Sequence, residues 1–287
     1  MRKLDRRQLH AYIEMNYSAS YSMMISLSDL HVLEITGADA VSFAHAQFSS
    51  DVRGLANGVW QWSTWLSPQG RVRALFHLLR DGDEYLRLLL RGGDAEALRT
   101  DLARYVLRAK VAFCVRDARV CGSDQPATDA PELRGSPPRW LVVAETAGAD
   151  ESPNARERWH LADIRAGLPV LADNLRDQLL PQWLGLDRLG AISVSKGCYP
   201  GQEIMSRLHF KGGNKRSLYR IEFAGMAPPG TALNASGDAA SGLIVMSAQR
   251  GDHRSEALAC LADASAGAPL HVSTVPGGEI SVLERYA

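Results

Sequence analysis

Lys196, Cys198, Gln202 and Glu203 fall inside one eight-residue run, Lys196-Gly197-Cys198-Tyr199-Pro200-Gly201-Gln202-Glu203. A thiol two residues from an ammonium is a candidate nucleophile, because a nearby cation favours the thiolate. Gly197 and Gly201 let the backbone approach a ligand closely or adopt positive φ. Gln202 and Glu203 can hydrogen-bond an amide or a pterin-like edge. The same spacing also suits a tight turn before a strand with an inert, buried Cys, a common fate of free thiols. Both readings stand at this point.

A cationic stripe follows. No acidic residue occurs between Glu203 and Glu222, whereas Arg207, Lys211, Lys215, Arg216 and Arg220 do. Such a stripe suits the carboxylates of a glutamyl ligand, RNA phosphates or an acidic partner protein. A solvated hairpin tip would have the same composition. Trp60, Trp62 and Trp65 alternate within an apolar run and read as strand packing.

The elements that must position these groups are legible from periodicity and turn residues. Residues 30–35 read as a strand closed by Thr36-Gly37-Ala38-Asp39, where Thr36 or Asp39 can cap a helix carrying Val41, Ala44 and Phe48. Val59–Leu66 is a strand by its aromatic and β-branched content. Ser67-Pro68-Gln69-Gly70 turns into a strand over 71–79, and Asp81-Gly82-Asp83 turns into another over 84–90. Residues 94–106 read as a helix and 110–115 as a strand. The order β-α-β-β-β-α-β predicts an antiparallel sheet with helices on one side, an α+β layer.

Further along, 122–138 and 147–154 read as loops around a short strand at 140–144. Residues 159–165 lead into the turn Ala166-Gly167-Leu168-Pro169, and Pro181 breaks any helix in 175–184. Residues 204–210 alternate, which predicts a strand, with Gly212-Gly213-Asn214 as a hairpin turn to a strand over 217–223. Short strands then predict a small β-barrel from about 214 to the end. The expected organisation is an extension over 1–22, an α+β region over 23–213 with an internal boundary near 117–140, and a barrel over 214–287.

Composition narrows the function classes. The chain has 287 residues, 46% hydrophobic and 22% charged, with 32 basic against 32 acidic side chains. Zero net charge argues against a surface that grips nucleic acid everywhere, so no stable nucleic-acid complex is expected, although a local basic patch is compatible with it. Cys114, Cys121, Cys198 and Cys260 form no C-x-x-C pair and no zinc spacing. Reduced thiols in a cytoplasmic protein are the expectation. Cys114 and Cys260 lie in apolar runs and read as structural. No apolar run approaches the roughly 20 residues of a membrane span, and the first residues lack a signal-peptide core. No nucleotide-binding Gly motif and no cluster-ligating Cys set is present.

The run 196–203 resembles the K-G-C-Y-x-G-Q-E signature of the YgfZ branch of the glycine-cleavage T-protein superfamily. Ile164-Arg165-Ala166-Gly167-Leu168-Pro169, Leu180-Pro181-Gln182 and Phe210-Lys211-Gly212-Gly213-Asn214-Lys215-Arg216 resemble its flanks. Ile35-Thr36-Gly37-Ala38-Asp39 and Gln47-Phe48-Ser49-Ser50-Asp51-Val52 resemble its first helix region. The likeness runs from about 27 to 223 and is weakest over 117–158. It implies a T-protein-like multi-subdomain α+β fold and a monomer that binds tetrahydrofolate or a one-carbon derivative. Trp159 stands where the family often places a ring-stacking Trp, whereas Leu30 stands where it has a second one. Carried over, the cofactor-binding set is Trp159, Tyr199, Gly201, Gln202, Glu203, Arg207, Lys215 and Arg216, with Cys198 and Lys196 as the catalytic pair.

Two functions are compatible with this resemblance. One is an accessory factor for assembly or repair of iron–sulfur enzymes, acting on tRNA modification indirectly, with those enzymes or their assembly factors as partners. The other is a folate-dependent aminomethyl or other one-carbon transferase. The transferring T-proteins carry an Asp after a strand–turn. Here Gly70-Arg71-Val72-Arg73-Ala74 occupies that stretch, and Ala74 stands where the carboxylate belongs. Acid–base chemistry of that kind loses its central group, and the accessory role is expected.

Overall fold

Apolar side chains alternate across 30–36, 59–66 and 72–91 so that both faces of one sheet are greasy, and this makes the sheet a shared wall between two cores. The computed structural model describes residues 24–286 apart from 145–147, 236–239, 252 and 276–278. The expected extension over 1–22 lies outside the described residues.

The first part of the chain runs β1 (Ile25–Ser26), β2 (Leu30–Thr36), α1 (Ala40–Gln47), β3 (Val59–Leu66), β4 (Val72–Arg80), β5 (Tyr85–Arg91), α2 (Ala95–Ala103) and β6 (Ala112–Arg116). Strands β2 to β6 form a five-stranded sheet in the order β3-β4-β5-β2-β6 with antiparallel neighbours. One face, with Leu33, Ile35, Phe76, Leu78, Leu88 and Leu90, packs on α1 and α2. The other, with Val32, Trp62, Leu75 and Leu89, faces the centre of the molecule. Asp94 caps α2 by accepting from the amides of Glu96 and Ala97.

Next come β7 (Arg119–Ser123), β8 (Glu132–Leu133), β9 (Arg139–Ala144) and α3 (Pro153–Ala166), with β1-β7-β9-β8 as a four-stranded sheet. The loop expected over 122–138 therefore holds the end of β7 and all of β8. The run 159–165 is the end of a 14-residue helix, started by the Ser152 cap with Pro153 behind it and stopped by Gly167 at φ 65°.

A long connection with two 3₁₀ turns, Asp173–Leu175 and Pro181–Leu184, leads to α4 (Gln202–Lys211) and then β10 (Arg216–Ala224). The strand expected over 204–210 is thus a helix. Gly212-Gly213-Asn214 is its exit rather than a hairpin turn, and the Gly212 amide donates to the Leu208 carbonyl. The alternation of 204–210 also contains Ile204, Met205 and Leu208 at helical spacing, and over seven residues the two periods compete.

Strands β10, β11 (Ala232–Ala235), β12 (Ala240–Gln249), β13 (Arg254–Ala262), β14 (Leu270–Val272) and β15 (Ser281–Tyr286) form a six-stranded sheet ordered β14-β11-β12-β13-β10-β15. It curls into a half-barrel, and the molecule is α+β with antiparallel sheets. Its inner face holds a small core of Ile221, Phe223, Leu233, Ile244 and Leu261. Leu218, Val245 and Leu258 on its other face join the central core, which also receives Val32, Leu75, Val120, Leu141 and Ile164. All three sheets therefore meet at one core. No helix among the described residues is long and apolar enough to cross a membrane.

Candidate functional site

The signature run is latched onto the end of α1. Ser193 donates its amide to the Ser49 carbonyl at 2.8 Å, and Ser49 Oγ donates to the Ala191 carbonyl at 2.7 Å. Lys196 Nζ donates to the carbonyl oxygens of His45 and Phe48, at the C-terminal end of α1, where carbonyls lack an intrahelical partner. The residue is 8% exposed. Burial pushes its ammonium down to about 8, against the nearby Asp51 carboxylate, which raises it. The ammonium also lies 4.7 Å from the centre of the Tyr199 ring. The two sequence stretches 47–52 and 196–203, far apart in the chain, are thus one structural unit.

Most of the polar groups named from the sequence have partners inside this unit. Tyr199 is buried, donates its hydroxyl to the Ser193 carbonyl at 3.0 Å, and has its phenol pushed up to about 12 by burial. Gln202 Nε2 donates to the Lys196 carbonyl at 3.2 Å. Gly201, at φ 79°, sits against the turn after β3: a Cβ there would stand 2.7 Å from the Ser67 carbonyl oxygen and 2.8 Å from Gly70 Cα. Its positive φ and this close approach both demand glycine. Gly197, by contrast, has open space beside it. Of the groups named from the sequence in and beside this run, Cys198, Glu203 and Arg207 are exposed.

The remaining candidates lie apart from one another. Lys215 is exposed, and Arg216 donates to the Ser241 carbonyl at 3.3 Å with its guanidinium 5.5 Å from the Trp183 ring centre. Trp159 is 4% exposed, its ring lies against Gly122, and the Arg139 guanidinium is 4.5 Å from its centre. In this conformation it is a core side chain. Cys114, read as structural from its apolar run, is exposed on the edge strand β6, whereas Cys121 and Cys260 are buried and all four thiols are free. Burial pushes both buried thiols up, Cys260 to about 12.

Around Trp159 the structure holds a network that sequence reasoning missed. Arg91 is fully buried and donates to Asp163 Oδ2 at 2.8 Å and to the Leu168 carbonyl at 3.3 Å. Arg139 donates to Asp163 Oδ1 at 2.7 Å and to the Trp159 carbonyl at 3.2 Å. One carboxylate on α3 therefore ties β5 to β9. His77, fully enclosed beside Trp62 and held well below the usual imidazole range by desolvation and by Arg91, completes the cluster.

Beside this network the five-stranded sheet, α3 and the half-barrel leave a cavity of about 370 Å³, lined among others by Asp29, His31, His160, Leu171, Asp173 and Met246. His160 Nε2 and Asp29 Oδ2 are 3.3 Å apart. Asp29 Oδ1 is buried and has no hydrogen-bond partner. Gly92 closes one wall: at φ 84° it lies so near the chain at Leu171 that a Cβ would be 2.5 Å from that carbonyl oxygen. No residue of the signature run lines this cavity. His160 was accessible to sequence reasoning only as the neighbour of Trp159, and Asp29 and His31 as the neighbours of Leu30.

The layers and the half-barrel define a protein of the T-protein fold. The crystal structure of the glycine cleavage system aminomethyltransferase T from Bartonella henselae superposes with a TM-score of 0.69 over 93% of this chain and 88% of that one, at 12% identity. No family model matches the chain. An uncharacterized protein of Haemophilus influenzae is 32% identical over 206 residues, covering 69% of this chain and 72% of its own. The tRNA-modifying protein YgfZ of Vibrio vulnificus is 31% identical over 225 residues and 69% of each chain. The tRNA-modifying protein YgfZ of Escherichia coli K12 is 27% identical over 232 residues. The chain belongs to the YgfZ family.

Proposed function

We propose that this protein binds a reduced folate in the cavity between the five-stranded sheet, α3 and the half-barrel and serves in the cytoplasm as an accessory factor for iron–sulfur enzymes, with Cys198 as the group it offers to them. The observation that carries the folate reading is the position of the cavity. Asp29 and His31 flank Leu30, and His160 follows Trp159, so the cavity is walled by the neighbours of both positions where the family resemblance places ring contacts. A pterin presents a row of N–H donors. The buried, unpartnered Asp29 Oδ1 supplies the matching acceptor, and Leu171 and Met246 supply apolar wall.

The relatives from Vibrio vulnificus and Escherichia coli are named for tRNA modification. On this reading that effect is indirect, through the iron–sulfur enzymes that modify tRNA. A single exposed thiol cannot hold a cluster by itself, so Cys198 acts with groups from a partner. Ala74 weighs against aminomethyl transfer. It stands where the resemblance places the acid of the transferring proteins, and it is 8% exposed in the core between the five-stranded sheet and α1 and α2.

Calorimetry with tetrahydrofolate and with its methylene form is the direct test. Binding is expected, and Asp29→Asn is expected to weaken it about tenfold or more, the loss of one charge-assisted hydrogen bond. No binding of either form at high micromolar concentration would remove the folate reading.

A further inference from the structure

The cationic segment after the signature folds into a surface whose chemistry the folate reading does not use. Of the ten residues of α4, only Met205 is buried, and Phe210 is 73% exposed. Residues 203, 207, 210 and 211 share one helix face by their three- and four-residue spacing. Arg207, Lys211 and Lys215 make no side-chain hydrogen bond or ion pair among the described residues. That sets them apart from the other cations of the same segment. Arg216 donates to Ser241, and Arg220 faces Glu256 and Glu284 at 3.9 and 3.7 Å.

The acidic groups near α4 are few. Glu203 stands in its first turn, at the far end of the helix from Phe210 and Lys211. Asp187 interacts electrostatically with His209. His209 and Lys211 in the last turn complement the helix dipole, but the dipole does not account for an exposed aromatic between them. The Phe210 and His209 rings stand perpendicular, centroids 4.9 Å apart at 89°, so this contact takes up at most one face of Phe210 and leaves the other clear of that neighbour.

We infer that the outer face of α4 binds single-stranded RNA, with one base stacked on Phe210 and phosphates on Arg207, Lys211 and Lys215. An exposed aromatic ring with unpaired cations three residues before it, next to it and five residues after it is the combination by which proteins hold unpaired strands without reading sequence. A duplex hides its base faces and offers only its phosphates. The zero net charge of the chain is consistent with this, because the contact is local and salt-labile rather than a surface-wide grip.

Fluorescence polarisation with a labelled oligouridine of about 12 nucleotides tests this on the full chain, against a duplex of the same length and a polyglutamate peptide. Binding of the single strand is expected to weaken about 20-fold between roughly 50 and 200 mM salt, the loss for three phosphate contacts on a single strand. Phe210→Ala is expected to weaken it about tenfold at both salt concentrations with the salt slope unchanged, and Phe210→Trp to restore it. Lys211→Ala is expected to lower the slope by about 0.7. Because Phe210 and Lys211 are exposed, these variants fold as the wild type does. Three results would each overturn the assignment: no binding at the lower salt, no effect of Phe210→Ala, or equal binding of duplex or polyglutamate. The last would assign the face to an acidic protein instead.

Discussion

Lys196 Nζ donates to the main-chain carbonyl of Phe48 at 2.5 Å, joining the signature run to the end of a helix 148 residues earlier. The ammonium beside the signature thiol is thereby committed to backbone acceptors. Lys196 positions the run that carries Cys198.

This sets a pH dependence. Burial lowers the Lys196 ammonium from its ordinary 10.5 to about 8. Between those values the unfolded chain holds the extra proton, so the cost of burying the charge fades and stability rises as pH increases. Tyr199, pushed up to about 12 by burial, acts in the opposite sense, but only above its ordinary 10. The stability of wild type relative to Lys196→Met should therefore grow from about pH 7.5 to about pH 9.5. Urea unfolding of both proteins measures it, and a constant or shrinking difference would contradict it.

Cys198→Ala should fold normally, because the exposed side chain adds little to the core, and its unfolding free energy should change by less than about 0.5 kcal/mol. Titration of native protein with a thiol reagent should find two fast thiols, Cys114 and Cys198, and two slow ones, Cys121 and Cys260. The variant should lose one fast thiol. In cells lacking the native protein it should fail to restore iron–sulfur enzyme activity at equal soluble level, and full restoration would make the Cys dispensable.

Asp163→Ala should be severe. It removes the common partner of two buried guanidinium groups, Arg91 and Arg139, whose side chains are 0% and 7% exposed. Breaking a buried ion pair from one side costs about 3–5 kcal/mol. Chemical denaturation should show that loss, and a change under about 1 kcal/mol would mean that the network relaxes around the gap.

Aminomethyl transfer from a lipoyl carrier to tetrahydrofolate should be absent or far below about 1 per second, an ordinary enzyme rate. Ala74 supplies no acid, and Ala74→Asp should destabilise the protein, because the new carboxylate would enter a core lined by Phe76 and Leu98. A coupled assay for methylenetetrahydrofolate decides it.

Much of this protein was legible in its residues. The alternation of 30–36 and 59–91, with Gly and Asp at the turns, determined four strands of the five-stranded sheet, because a strand with both faces buried and tight connections has few other ways to pair. The signature residues marked the unit that presents Cys198, and of its two glycines Gly201 makes the close approach expected of them while Gly197 does not. The alternation of 204–210 misled, since seven residues fit both periods; in the helix Ile204 packs beside Gly70. Lys196 next to Cys198 in sequence suggested an activated thiol. Tertiary structure turned the ammonium toward His45 and Phe48, partners that local spacing does not reveal. Nor could spacing reveal that Arg91, Arg139 and Asp163 meet, or that Asp29, His160 and Met246 wall one cavity. Those groups lie on three different sheets and a helix, and their proximity arises from how the layers pack against one another.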